Sequence, residues 1–186
     1  MANDSYGVAW QAARISRFIR VGEKVSEAGV PTEVWLTHDK TNLYVAFKCH
    51  EPEPEKIARR ITGRDGTVFL DDCVELFLDP GQTQSDYFHI AVNSIGTVYD
   101  SGNRQGPVWN GEFQVAAKIL ADSWIVEMAI PYSTLGVACP TAGQRWNINA
   151  ARERKGPPAE NSAWAYLPFG GFNQPVRFET IEFKKD

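Results

Sequence analysis

Apolar and polar residues alternate with period two along most of the chain. Val34 and Leu36 precede a His38-Asp39-Lys40 turn, and a second run extends over about residues 43–49. Val74, Leu76 and Leu78 alternate as far as the Asp79-Pro80-Gly81 break. Phe88, Ile90 and Val92 follow, and Asn93-Ser94-Ile95-Gly96 turns the chain into Thr97-Val98-Tyr99. The runs at 113–119 and 124–130 flank Ala121-Asp122, which reads as a tight hairpin. Trp146, Ile148 and Ala150 form one more row, and residues 177–183 close the chain. Period two is the mark of half-buried strands, and the Gly, Pro, Asn and Asp between the runs mark turns. The pattern predicts an all-β fold, an antiparallel two-sheet β-sandwich of jelly-roll type, with residues 1–186 as a single domain. Helix is confined to two turns over 54–61, where Pro54 sits early, and one turn over 131–135.

The opposite parity shows what the second face of each strand carries, because successive side chains point to opposite sides of a sheet. Opposite the apolar rows lie Glu75 and Phe77, His89 and Ala91, Ile125 and Glu127, and Asn147 and Asn149. Small alanines leave room there, while Glu75, His89, Asn147 and Asn149 supply donors and acceptors in one plane. Such planar groups suit sugar hydroxyls, and aromatic rings suit the C–H faces of pyranoses. The same residues also suit a partly covered sheet whose polar groups bond neighbouring loops. Trp35, Trp124, Trp146 and Trp164 are assigned to the core, and Trp109 to a turn that edges a site.

Charge removes one class of partner. The net charge is −4 and no Lys/Arg-rich run exists, so nucleic acid is not expected. No apolar run is long enough to span a bilayer, and the first residues do not form a signal peptide. Cys49, Cys73 and Cys139 leave at least one thiol unpaired, and buried free thiols are the expectation.

Three stretches carry a family resemblance. The first is Thr32-Glu33-Val34-Trp35-Leu36-Thr37-His38-Asp39 running into Asn42 and Leu43-Tyr44-Val45-Ala46-Phe47. The second is Asp72-Cys73-Val74-Glu75-Leu76-Phe77-Leu78-Asp79, and the third is Trp124-Ile125-Val126-Glu127-Met128-Ala129-Ile130-Pro131 followed by Trp146-Asn147-Ile148-Asn149. Together they resemble the family 9 carbohydrate-binding modules, within the wider type-9-like, DOMON-like sandwiches. The resemblance implies a non-catalytic, monomeric, secreted module that binds the reducing end or terminal sugars of xylan, cellulose or related glycans. Such a module would target a larger extracellular enzyme to its substrate. The Ile-Asp-Gly opening common in the family is missing. Two Trp plates that clamp the sugar in the family match Phe69 and Phe172, which keep an apolar plate but lose area and the indole donor. The family's polar contacts match Glu75, His89 and Asn149, with Arg152 as a further donor; the Asn two residues beyond Asn149 is Ala151 here.

Other readings remain beside this one. Glu75 and Glu127 are assigned to one face, as a glycosidase carboxyl pair would require. Type-9-like relatives hold haem through Met with His or Lys, but Met128 and His89 have opposite parity. A diverged sandwich serving as a protein-interaction module is a further alternative. Structural Ca²⁺, frequent in the family, would draw on Asp65, Asp71, Asp72 and Asp79, although no calcium-loop spacing occurs.

Overall fold

The computed structural model describes residues 13–102 and 109–184. The alternating runs become β3 (Thr32–His38), β4 (Asn42–His50), β5 (Cys73–Asp79), β6 (Phe88–Asn93), β7 (Val98–Gly102), β8 (Gln114–Ile119), β9 (Ser123–Pro131) and β10 (Arg145–Arg154). Short strands complete the set: β1 (Ala13–Ile15), β2 (Ile19–Arg20), β11 (Glu160–Ala163) and β12 (Glu179–Glu182). One sheet has the order β1-β3-β4-β9-β8, and the other β2-β11-β10-β5-β6-β7, with β12 also on β10. Every pairing is antiparallel, so the expected two-sheet sandwich is what the chain forms.

The core lies where the predicted apolar rows face each other. Val34 and Leu36, Val74, Leu76 and Leu78, Ile90 and Val92, Val126 and Met128, and Trp124, Trp146 and Ile148 are all buried between the sheets. Trp35 departs from its assignment. It has the opposite parity to Val34 and Leu36, so it stands half-buried on the outer surface with the Arg14 guanidinium 5.8 Å from its ring. Trp164 follows the last residue of β11 and is only partly buried against the core.

The two helical expectations are replaced by turns. In 54–61 only Pro54–Lys56 forms a 3₁₀ turn. The amides beyond it donate to carboxylates instead of to the preceding turn: Ala58 to Asp72, and Arg60 and Ile61 to Asp71, each at 2.8 Å. Side-chain acceptors of this kind compete directly with helix formation.

β10 continues past the apolar core, and its end carries an ionic cluster. Glu51 receives two bonds from Arg154, both 2.7 Å, and one from Arg152 at 3.2 Å. All three residues are buried. Arg154 also donates to the carbonyls of Gly156 and Pro158, and the Arg152 guanidinium lies 5.9 Å from the Trp124 ring.

No disulfide joins the three cysteines. Cys49 and Cys73 are buried, whereas Cys139 is exposed, so the expectation of buried thiols fails at one position. Burial pushes the Cys49 thiol up to about 12, which suppresses the reactive thiolate further. A colorimetric thiol assay is therefore expected to titrate Cys139 alone in the native protein, and Cys49 and Cys73 only after denaturation. Rapid native labelling of Cys49 or Cys73 would contradict this packing.

Candidate functional site

The outer face of the second sheet is not a solvated surface. Register sets Ala151, Glu75, Ala91 and Tyr99 in one row across β10, β5, β6 and β7, and Asn149, Phe77, His89 and Ser101 in the next. Two segments fold over this floor. Residues 57–72 lay Ile61, Val68 and Phe69 against Cys73, Ala91 and Tyr99. Residues 164–178 lay Ala165, Leu167, Phe172 and Phe178 against Phe77 and Ala151.

Each segment is tied down by polar contacts. Asp71 takes the amides of Arg60 and Ile61 and the Nδ2 of Asn93. Asp72 takes Ala58 N at 2.8 Å and Lys155 N at 3.2 Å. Immediately before these two aspartates the chain makes a 3₁₀ turn over Val68–Leu70, which buries Val68 and leaves Phe69 half-buried above His89. On the other side, Gln174 Nε2 donates to the Gly171 carbonyl at 2.9 Å, and Asn173 Oδ1 accepts from the Tyr87 hydroxyl at 3.2 Å. Gly170 has φ +71°, a left-handed conformation that favours glycine. The turn there sends its two aromatic neighbours to different environments.

His89 is the centre of the floor. Its Nε2 lies 2.6 Å from Glu75 Oε2, its ring stacks on Phe77 at 4.2 Å, and Phe69 stacks near it at 5.8 Å. Tyr99 meets Phe69 edge-on at 4.8 Å. Asn149 is fully buried; its Oδ1 accepts from Ala165 N at 3.0 Å, while its Nδ2 has no acceptor. Glu153 lies on the same face, diagonal to Glu75, and contacts Lys155. Burial raises the Glu153 pKa, and the neighbouring Glu75 carboxylate raises it further.

The structure thus brings together four of the residues singled out in the sequence: Phe69, Glu75, His89 and Asn149. It separates the other two. Arg152 is 1% exposed and pairs in register with Val74, so it faces inward to Glu51 and offers nothing to this face. Phe172 is 3% exposed and packs beneath its own loop, so it anchors that loop rather than standing open as a plate. Phe169, three residues earlier, is 68% exposed in the same loop, and Leu70 beside Phe69 is 67% exposed. Strand parity also marks Glu153, which the sequence reading passed over, but no periodicity distinguishes Phe169 from Phe172.

The competing chemistries find no geometry here. Glu127 lies on β9 in the first sheet, so Glu75 and Glu127 point away from opposite sides of the sandwich and cannot flank one bond. Met128 is in the core and His89 on the outer face, so they do not converge on one haem. The aspartates do not fit calcium. Asp71 and Asp72 hold loop amides with both oxygens, Asp79 takes Thr83 N and Gln84 N, and Asp65 accepts from Asp100 N. Among the described residues no group of three His, Cys, Asp or Glu is placed to hold a metal ion. Trp109 packs its ring 4.8 Å from Phe88, an edge of the core rather than of this face.

A family model described as "Carbohydrate family 9 binding domain-like" matches residues 5–182. The chain belongs to this family. The family 9 module also shares its fold with solved structures of low identity. One, from Bacteroides uniformis, is a protein to which carbohydrate binding is ascribed. It is 17% identical, with a TM-score of 0.73 over 93% of this chain and 87% of that one. Two are family 9 modules from Caldicellulosiruptor kristjanssonii. The cellotriose complex has 19% identity and a TM-score of 0.68, covering 100% of this chain and 88% of that one. The glucose complex has 17% identity and a TM-score of 0.65, covering 92% and 86%. Among curated proteins none matches the sequence. Among the described residues of the module no helix is long and apolar enough to cross a membrane.

Proposed function

We propose that the outer face of the second sheet binds carbohydrate without catalysis, taking terminal sugars of plant-type glycans such as xylan or cellulose. One observation carries this reading: beneath the half-buried Phe69 ring, Glu75, its partner His89 and the unpartnered Asn149 Nδ2 lie on one floor. Phe69 and Phe169 are the plates, from the two segments that border the floor. A buried donor without an acceptor is costly in a folded protein, and a sugar hydroxyl is the acceptor it lacks. Membership of the family and the sugars named for its solved relatives support the same reading. In its biological setting the module would hold a secreted glycan-active enzyme against its polymer.

Calorimetric titration with glucose, cellobiose, xylose and xylobiose, each beside its alditol, tests this. Free sugars are expected to bind and alditols to fail if a reducing end is recognised. Glu75→Gln is expected to weaken binding by about 10- to 150-fold, the value of a hydrogen bond to a charged group. Phe69→Ala and Phe169→Ala should weaken it less, by about the 0.5–1.5 kcal/mol of an aromatic contact. Phe172→Ala is expected to lower stability by about 3–5 kcal/mol through the cavity it leaves. Absence of heat with every sugar would overturn the proposal.

A further inference from the structure

Four aromatic rings form one column across the site. Phe178, from the segment that covers one side of the floor, meets the fully buried Phe77 at 5.4 Å. Phe77 on β5 pairs in register with His89 on β6, and their rings stack at 4.2 Å with 11° between their planes. Phe69, from the segment on the other side, lies over His89 at 5.8 Å and 23°. Tyr99 closes the flank, edge-on to both Phe69 and His89. Offset stacks and edge contacts at such separations are the favoured arrangements of aromatic pairs.

The column uses up what an imidazole could offer a sugar. One face of the buried His89 ring is against Phe77 and the other against Phe69, and its Nε2 is held by Glu75 at 2.6 Å. Phe69 is placed differently. It is half-buried and turns one face to His89, so the C–H groups of a sugar meet its other face. The 3₁₀ turn that carries it is three residues long and has no side-chain cap, so the plane of the Phe69 ring is set by what the ring rests on. Resting on the carbohydrate reading above, we infer that His89 is a positioning residue, which fixes the plane of the Phe69 plate and makes no contact with the sugar itself. A residue that acts only through another can cost no more than the contact it positions, and this bounds the effect of losing it.

A double-mutant cycle between positions 69 and 89 tests the inference, read by calorimetry with whichever of the four free sugars binds most tightly. His89→Gln keeps an amide nitrogen for Glu75 but removes the ring. It is expected to weaken binding by about 2- to 13-fold, the worth of the aromatic contact at Phe69. In that background Phe69→Ala should change affinity by less than about twofold, because the plate has already lost its alignment. His89→Phe keeps the column without the imidazole nitrogens, and there Phe69→Ala should again cost its full factor. A Phe69→Ala cost that is the same in the wild type, in His89→Gln and in His89→Phe would overturn the inference and leave the carbohydrate reading standing. The wild type supplies a check that needs no variant. Nuclear Overhauser effects from the bound sugar should reach the ring protons of Phe69 and not those of His89, and cross-peaks to the His89 ring would likewise overturn the inference. No binding of any sugar would overturn both.

Discussion

Glu51→Ala is expected to lower the unfolding temperature of this protein more than any change on its surface. The substitution leaves Arg152 and Arg154 charged, buried and without their common carboxylate. Removing one partner of a buried ion pair typically costs about 3–5 kcal/mol. At this chain length each kcal/mol is roughly 2–4 °C, so the midpoint should fall by roughly 6–20 °C. Circular dichroism melting gives the number. Replacing all three residues by Leu and Met should restore much of the loss, because the penalty belongs to the unpaired guanidinium groups. A single variant that melts with the wild type would show that the cluster is dispensable.

The same carboxylate makes part of the acid stability. Burial by itself would raise the Glu51 pKa, but the bonds from Arg154 and from Glu53 N, with the charge of Arg152, hold it below its ordinary value of 4.5. A lowered folded-state pKa stabilises in full above the unfolded value and is lost as pH falls through the folded one. The wild type should therefore lose this contribution below about pH 4.5. Glu51→Gln should show a shallower decline over that range.

Asp71→Ala is the second change with a large expected effect, and it acts on the site from beneath. Three donors lose their acceptor: Arg60 N and Ile61 N, both at 2.8 Å, and Asn93 Nδ2 at 3.0 Å. A buried donor left unsatisfied costs about 1–3 kcal/mol, although Asn93 keeps its bond to the Ile61 carbonyl. The expected loss is about 2–5 kcal/mol on that scale, concentrated in residues 57–72. Since this segment presents Phe69, sugar affinity should fall although Asp71 is itself buried. Hydrogen exchange should accelerate at the Arg60 and Ile61 amides while β4 and β9 remain protected. Unchanged exchange with unchanged affinity would show that Asp71 does not hold this segment.

Strand parity made the floor of the site legible in the sequence, because it depends only on which neighbours are apolar. Glu75, His89 and Asn149 alternate with core residues, and the fold places them together as that alternation requires. Arg152 shares the parity of Ile148 and Ala150, and the structure follows parity rather than family resemblance. Parity separates inner from outer faces, but it is silent on which sheet a strand joins. Parity alone therefore puts Glu127 on the face of Glu75, whereas β9 and β5 lie in different sheets. Loops lack even that guide. In Phe169-Gly170-Gly171-Phe172 the composition is symmetric, and only packing against Phe77, Ala151 and Phe178 distinguishes the buried ring from the exposed one.

β10 offers one edge to two short strands in succession. β12 pairs with Arg145–Ile148 and β11 with Ala151–Arg154. Everything from Trp164 to Phe178 therefore leaves and rejoins the sheet at points three residues apart on one rigid strand, about 10 Å at the usual rise. Such a closure makes the intervening stretch a cassette. Its length and sequence can be exchanged without shifting strand register, since both splice points are fixed by β10. Grafting the corresponding stretch of a homologous module between Ala163 and Glu179 is thus a route to re-targeting this scaffold, with the sandwich left intact beneath it.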